Sequence, residues 1–179
     1  MKHKIGHLIS SSKYAGIEQH INELVSEFQN TDIKATIIAD KKIKNHFNNL
    51  NFINFANKYR FNPFNIIRLY KILKQNEIQL LHCHGNKSIF LGSILKNFLN
   101  IKLVATVHAF KSKQQSVKNY DVVIKVNKNI NLLHPKTALV RNWVKPNLSS
   151  KISSRDGPFI AIGRPVSYTH LTLPTKWTV

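Results

Sequence analysis

The strongest constraint on the fold is a repeated alternation of short apolar runs with segments of helical spacing. The first apolar run covers residues 4–10 and the second covers residues 33–39. Between them, Ile17, Ile21 and Val25 recur at the spacing of a helix with one apolar face. A strand, a helix and a strand within forty residues predict parallel strands joined by a right-handed crossover.

The same alternation continues to about residue 141. It predicts further strands at 52–55, 80–84, 102–108, 122–126 and 137–141, and helices at 41–49, 63–76, 87–97 and 127–133. Strands that alternate with helices in this way favour an α/β fold. We therefore expect a doubly wound, mostly parallel sheet of the Rossmann-like type.

The character of the chain changes after residue 145. Residues 1–145 are predicted to form one domain, and the Ser-rich segment 146–157 reads as a linker. The apolar run at 158–166 is predicted to be the first strand of a second domain. Residues 167–179 resemble translated sequencing-adapter read-through and are interpreted as a non-native tail. A genuine short carboxyl tail is the alternative.

Charge and cysteine content limit the partners and the compartment. The chain has 27 Lys and Arg against 8 Asp and Glu, a formal net charge of +19, which favours an anionic partner. No nucleic-acid partner is predicted, because no RNP-like aromatic pattern or recognition helix is found. Cys83 is the single cysteine, and no apolar stretch approaches the roughly 20 residues of a membrane-spanning helix. These features predict a cytoplasmic protein.

Candidate ligand contacts follow the predicted strands, since ligands of open α/β sheets lie beyond the carboxyl ends of the strands. Gly16 precedes the first helix and would let backbone amides approach an anion. His84 lies at another strand end, beside Gly85 and Asn86, and is a candidate for a polar substrate contact. His108 can donate or accept a hydrogen bond or titrate near neutrality. A histidine satisfied within the protein is the alternative at that position.

No metal site is predicted. His82, Cys83 and His84 are adjacent, but strand alternation sends Cys83 to the face opposite the two histidines. No second pair of ligands stands at a usable spacing in the sequence. His7 is interpreted as packing within the sheet.

Several segments together point to a known family. They are Lys4-Ile5-Gly6-His7-Leu8, Ala15-Gly16-Ile17-Glu18-Gln19-His20, Leu81-His82-Cys83-His84-Gly85, Val104-Ala105-Thr106-Val107-His108-Ala109-Phe110, Tyr120-Asp121-Val122-Val123-Ile124, Val140-Arg141-Asn142 and Phe159-Ile160-Ala161-Ile162-Gly163-Arg164. In this order and spacing they resemble the amino-terminal domain of the two-domain family 4 glycosyltransferases, over about residues 1–166. The resemblance implies a truncated chain, because the acidic element that holds the nucleotide ribose in that family has no counterpart here.

The resemblance also implies an activity. Such enzymes transfer a sugar, with retention, from a nucleotide-diphosphate donor to a cell-surface glycan or a lipid-linked acceptor, and the chain would act in lipopolysaccharide or polysaccharide biosynthesis. No cofactor or metal is expected beside the nucleotide sugar. The basic domain would suit docking on an anionic membrane, at the inner face of the cell membrane. A non-catalytic module that binds phosphorylated or acidic glycans is the alternative.

The resemblance assigns roles to individual residues. Ala15, Gly16 and Arg164 would approach the donor diphosphate, and His108 would be the catalytic histidine. His84, Gly85 and Asn86 would line the acceptor side. Ala15 departs from the family by replacing the first glycine of its usual pair. Because about half of an active site is present, the chain alone is expected to be inactive.

Overall fold

The computed structural model describes residues 3–57, 59, 62–108 and 117–141. In these ranges the elements are β1 (His3–Ile9), α1 (Gly16–Glu27), β2 (Ile33–Ala39), β3 (Asn51–Asn54), α2 (Pro63–Gln75), β4 (Leu80–His84), α3 (Gly85–Leu95), β5 (Lys102–Val107), β6 (Val122–Lys125) and β7 (Thr137–Leu139). Two short 3₁₀ helices cover Phe28–Asn30 and Lys41–His46. The predicted alternation is therefore present along the described chain.

The seven strands form one sheet in the order β3-β2-β1-β4-β5-β6-β7. All six neighbouring pairs are parallel. The chain winds outward from β1 to β3, returns to place β4 beside β1, and then winds the other way. This strand order confirms the doubly wound, Rossmann-like prediction and puts the topological switch point between β1 and β4.

Each face of the sheet carries its own apolar cluster, because successive strand residues point to opposite sides. On one face, Ile9 and Ile37 pack with Ile21 and Val25 of α1. On the other face, Leu8 and Leu81 belong to a larger cluster that also holds residues from α2 and α3, namely Leu69, Leu73, Ile89, Leu91 and Leu95. Helices thus cover both sides of the sheet around β1 and β4.

Two helix starts follow from local chemistry. Pro63 is the first residue of α2, and the Asn62 side chain accepts a hydrogen bond from the Phe64 amide at 3.0 Å. This combination of a capping side chain and an initial proline confirms the predicted start. Helix α3 begins at Gly85 rather than at residue 87, and Gly85 has φ +76°, a conformation that favours glycine.

One predicted element is wrong. Residues 127–133, expected to form a short helix, contain no helix in the structure. The Asn127 side chain instead accepts a hydrogen bond from the Asn129 amide at 2.9 Å, which closes a local turn. Asparagine side chains compete in this way with helical hydrogen bonds, and the segment is too short to outweigh them.

The described residues leave part of the predicted domain organisation open. The linker at 146–157, the strand at 158–166 and the tail at 167–179 lie outside them. Among the described residues, no helix combines the length and apolar character needed to cross a membrane.

Helix α3 packs closely on the sheet at Gly92. A Cβ atom at this position would lie 2.7 Å from Cys83 Sγ, and closer still to the Tyr120 hydroxyl. That hydroxyl donates a hydrogen bond to the Ile89 carbonyl at 2.7 Å, so it cannot move away freely. The absence of a side chain at Gly92 therefore sets the distance between α3 and β4.

We predict that Gly92→Ala lowers the free energy of unfolding by about 1–2 kcal/mol, because overpacking exceeds the helix propensity gained by alanine. Chemical denaturation monitored by circular dichroism measures the change. Gly16→Ala is the matched control, since a Cβ there would meet no atom within 4 Å. An equal loss of stability in both variants would contradict the close-packing explanation.

Candidate functional site

The carboxyl edge of the sheet at the β1–β4 switch point holds an open pocket of about 410 Å³. Its lining residues come from the loop after β1, the start of α1 and the β4–α3 junction, and are Ile9, Ser10, Ser11, Ser12, Lys13, Ile17, Glu18, His84, Gly85, Lys87 and Ser88. The Ser88 hydroxyl donates to the Ser10 hydroxyl at 3.0 Å and joins the two sides. Lys13 and Lys87 are the cationic residues of this lining, which suits an anionic ligand.

The loop before α1 is held by the buried carboxylate of Glu18, which is 3% exposed. One carboxylate oxygen accepts a hydrogen bond from the Ala15 amide at 2.9 Å, and the other accepts from the Ser11 hydroxyl. This is the glutamate half of a capping box. Glu18 therefore fixes the position of Ala15 and Gly16 at the start of the helix.

Ala15 and Gly16 are both exposed at the amino terminus of α1. Ala15 is the N-cap residue with φ −152°, an extended conformation that alanine adopts without strain. Among the described residues, and apart from its chain neighbours and the backbone of α1, no atom lies within 4 Å of the position that a Cβ on Gly16 would take. The first turn of the helix thus presents its backbone to open space, as an anion-binding helix terminus requires.

A group of five histidines lies below this edge, on the α1 side of the sheet. His7 on β1 is paired in register with His82 on β4, and His84 follows two residues later on the same face. His108 comes directly after β5, and its ring centroid lies 5.5 Å from that of His20 on α1 and 6.0 Å from that of His84. Cys83 joins the apolar cluster of the opposite face, as strand alternation predicts.

The imidazoles at the centre of this group are almost fully buried. His7 is 1% exposed, His84 is 2% and His82 is 8%. The His7 Nδ1 and His84 Nε2 atoms lie 3.3 Å apart, and His82 Nε2 lies 2.7 Å from the Thr106 hydroxyl. Buried nitrogens of His7, His84 and His108 have no hydrogen-bond partner among the described residues.

Burial keeps these histidines uncharged near neutral pH. Desolvation, with a smaller contribution from His20, lowers the pKa of His7 and of His108 to about 4. Desolvation also lowers the pKa values of His82 and His84 well below the ordinary value, and neighbouring histidines add to the effect. At pH 7 each imidazole therefore offers one N–H donor and one lone pair.

The structure brings most of the sequence-predicted residues to one edge. Ala15, Gly16, Gly85, Asn86 and His108 lie at or next to the carboxyl ends of β1, β4 and β5. His84, the predicted polar substrate contact, borders the pocket and is buried. Arg164 lies outside the described residues.

The sequence did not predict that His7 and His20 belong to the histidine group. It assigned His7 to packing in the sheet, and His7 is indeed buried there, but its position against His82 and His84 was not foreseen. It gave His20 no role, although the His20 ring lies 6.5 Å from the His84 ring. The sequence does show a histidine, His7, in the first predicted strand and another, His20, one helical turn after Gly16. Without the strand order, nothing connects these two with residues 82–108.

Comparison with known families decides the classification. The model of Glycosyltransferase Family 4 matches residues 14–145. This chain belongs to Glycosyltransferase Family 4. The match confirms the resemblance found in the sequence, and it covers α1 and every strand from β2 to β7 but not β1.

Solved structures share the fold of this family 4 chain at low sequence identity. MurG from Acinetobacter baumannii matches with a TM-score of 0.62 and 13% identity, over 80% of this chain and 47% of MurG. HepE from Anabaena, in complex with UDP and glucose, matches with a TM-score of 0.62 and 15% identity, over 78% of this chain and 44% of HepE. The lipopolysaccharide outer core galactosyltransferase WaaB matches with a TM-score of 0.59 and 13% identity, over 71% and 40%.

The present chain therefore spans less than half of the length of these three structures. A search of curated proteins gives no significant match.

We predict that Glu18→Ala lowers the free energy of unfolding by about 1–2 kcal/mol, because the Ala15 amide and the Ser11 hydroxyl lose their acceptor. Thermal and chemical denaturation measure the loss. Glu18→Gln is the matched variant, since an amide oxygen can still accept from Ala15 in a capping box. If Gln and Ala are equally destabilising, the negative charge rather than the capping geometry holds the loop.

Proposed function

We propose that this family 4 chain is the acceptor-side half of a retaining glycosyltransferase. The enzyme transfers a hexose from a nucleotide-diphosphate donor to a cell-surface glycan or a lipid-linked acceptor, in lipopolysaccharide or polysaccharide biosynthesis. The observation that carries the proposal is that the start of α1 and His84 line one pocket at the β1–β4 switch point, with the His108 ring 6.0 Å from that of His84. Ligands of doubly wound sheets bind at this place.

The residues of the site are proposed to have distinct roles. The exposed start of α1 at Ala15 and Gly16 faces the donor diphosphate, where the positive end of the helix stabilises the charge that develops on the leaving group. Arg164 adds a charge-assisted hydrogen bond to the same group. His84, Gly85 and Asn86 form the acceptor side of the pocket.

His108 is proposed to hydrogen-bond the transferred sugar. A pKa of about 4 means that its imidazole is neutral at pH 7 and acts as a hydrogen-bonding group rather than as a cation. Its half-buried position after β5 restricts its motion, which favours a fixed contact over a mobile proton carrier. No metal or cofactor enters this scheme.

The donor is proposed to be a UDP-sugar. One solved structure with the same fold, HepE, is in complex with UDP-glucose, and this supports the choice without deciding the sugar. The nucleotide would be held by a second domain that begins at residues 158–166, and this is supported by the chain covering less than half of MurG and of HepE.

Transfer assays test this function directly. The 179-residue chain and the same chain extended by the downstream coding sequence of its locus are incubated with UDP-glucose, UDP-galactose or UDP-N-acetylglucosamine and a panel of lipid-linked oligosaccharides. We expect release of UDP and a product of retained anomeric configuration with the extended protein alone. Efficient transfer by the short chain would contradict the two-domain requirement. Salt-sensitive glycan binding without transfer by either protein would instead support a non-catalytic binding module.

We predict that His108→Ala in the extended enzyme lowers kcat by about 10²–10³-fold, as expected for loss of one group that contacts the transition state. His3→Ala is the control, since His3 lies exposed at the far end of β1. Because the pKa of His108 is already lowered to about 4, its ionisation should not shape kcat/KM between pH 6 and 8. A limb near pH 6.5 that disappears in His108→Ala would contradict a neutral role.

The acceptor side is proposed to dock on an anionic membrane. Phe64 on α2 is 79% exposed, Ile67 is 53% and Phe98 after α3 is 66%. Between these helices lies an apolar groove of about 410 Å³ whose lining includes Ile67, Phe98 and Lys71. Exposed apolar side chains beside lysine, in a chain with a net charge of +19, complement a surface of anionic headgroups over acyl chains.

We predict that Phe64→Ser with Ile67→Ser weakens binding to vesicles of phosphatidylglycerol and phosphatidylcholine by about tenfold or more, because the apolar contact is lost. Sedimentation measures binding, and pure phosphatidylcholine vesicles report the electrostatic share. Leu133→Ser is the matched control, since Leu133 is 79% exposed on another part of the described surface. Equal loss in the control would contradict a specific docking face.

A further inference from the structure

Three imidazoles of the histidine group lie close enough to share one ion. His7, His82 and His84 each offer a nitrogen, and these nitrogens all lie within 4.8 Å of one another. The parallel pairing of β1 with β4 sets this geometry, because it places His7 beside His82 and sends His84 to the same face one pleat later. The backbone positions are therefore fixed by the sheet rather than by a flexible loop.

The spacing of the closest pair fits a metal ion. Zinc–nitrogen bonds of about 2.0–2.1 Å in tetrahedral geometry separate two ligand nitrogens by about 3.4 Å. The His7 Nδ1 and His84 Nε2 atoms lie 3.3 Å apart. The nitrogen that His82 offers lies within 4.8 Å of the other two, so the His82 ring has to move closer to complete a set of three ligands.

The protein does not use up the hydrogen-bonding capacity of these rings. His7 Nε2 and His84 Nδ1 are buried and have no partner among the described residues. These are not the two nitrogens of the 3.3 Å contact, so each ring has its second nitrogen unpartnered within the described part of the chain.

A hydroxyl next to His82 and an open pocket next to His84 are also consistent with a metal site. Thr106 is 1% exposed and its hydroxyl lies 2.7 Å from His82 Nε2, which can fix the tautomer and orientation of that ring. His84 also lines the open pocket at the carboxyl edge, so solvent ions have a path to the group. All-imidazole donors favour zinc and its transition-metal neighbours over Mg²⁺ and Ca²⁺, which prefer oxygen ligands.

We propose that His7, His82 and His84 form a three-histidine site for a divalent transition-metal ion, with Zn²⁺ the best fit and one coordination position left open. Bound by these three residues, the ion joins β1 to β4. Its role here is to hold the two strands together. The proposal does not depend on sugar transfer, because binding can be measured without any donor or acceptor.

Metal titration of the 179-residue chain, purified without a histidine tag and treated with EDTA, tests the site. We expect one Zn²⁺ per chain in competition with a chromophoric chelator, and a rise in the thermal midpoint on adding ZnCl₂. Co²⁺ in place of Zn²⁺ should give the visible absorption bands of a tetrahedral site. Absence of both zinc uptake and tetrahedral Co²⁺ bands would overturn the proposal.

Variants assign the ligands. His84→Gln should abolish stoichiometric binding, whereas Thr106→Val should keep one ion per chain with about 10–100-fold weaker affinity, as expected for an outer contact. His3→Gln is the matched control on β1, and its affinity should be unchanged. Retention of wild-type affinity in His84→Gln would overturn the assignment, as would its loss in His3→Gln. If His84→Gln fails to fold, the Co²⁺ spectrum of the wild-type chain and the affinity of Thr106→Val decide.

Discussion

The adjacency of β1 and β4 is the constraint on which the rest of the structure depends. Their parallel pairing brings residues more than seventy positions apart into register. It opens the crevice at the carboxyl edge, since the connections that follow the two strands lead away in opposite directions. The capped loop before α1, the β4–α3 junction and the histidine group all border this one line of contact.

Burial is the second determinant of the site. A histidine at a strand end on the surface would titrate near pH 6.5, but here desolvation lowers the pKa of His7 and His108 to about 4. Buried neutral imidazoles therefore lie next to the exposed start of α1 at this edge of the sheet. This division suits a ligand with a charged part and a polyhydroxy part, such as a nucleotide sugar.

The sequence predicted the bounds of the strands more accurately than the surroundings of individual polar side chains. The strand at Ile33–Ala39 and the strand at Leu80–His84 have the predicted bounds, because each is a short run rich in apolar residues that ends before a residue typical of turns, Asp40 or Gly85. Residues 127–133 were predicted wrongly, since the side chain of Asn127 forms a turn with the Asn129 amide that periodicity does not reveal. The burial of His84 could not be predicted either, because its neighbours in the sequence, Gly85 and Asn86, do not indicate a buried position.

The sequence by itself determined the fold class, the family and the identity of most residues at the carboxyl edge, because apolar periodicity and motif order are local properties of the chain. Only the tertiary structure decided that His7 faces His82 and His84, that His20 reaches His108, and that these imidazoles are dehydrated and neutral. Those facts depend on strand order and register, which are set by long-range packing between segments that no local pattern connects.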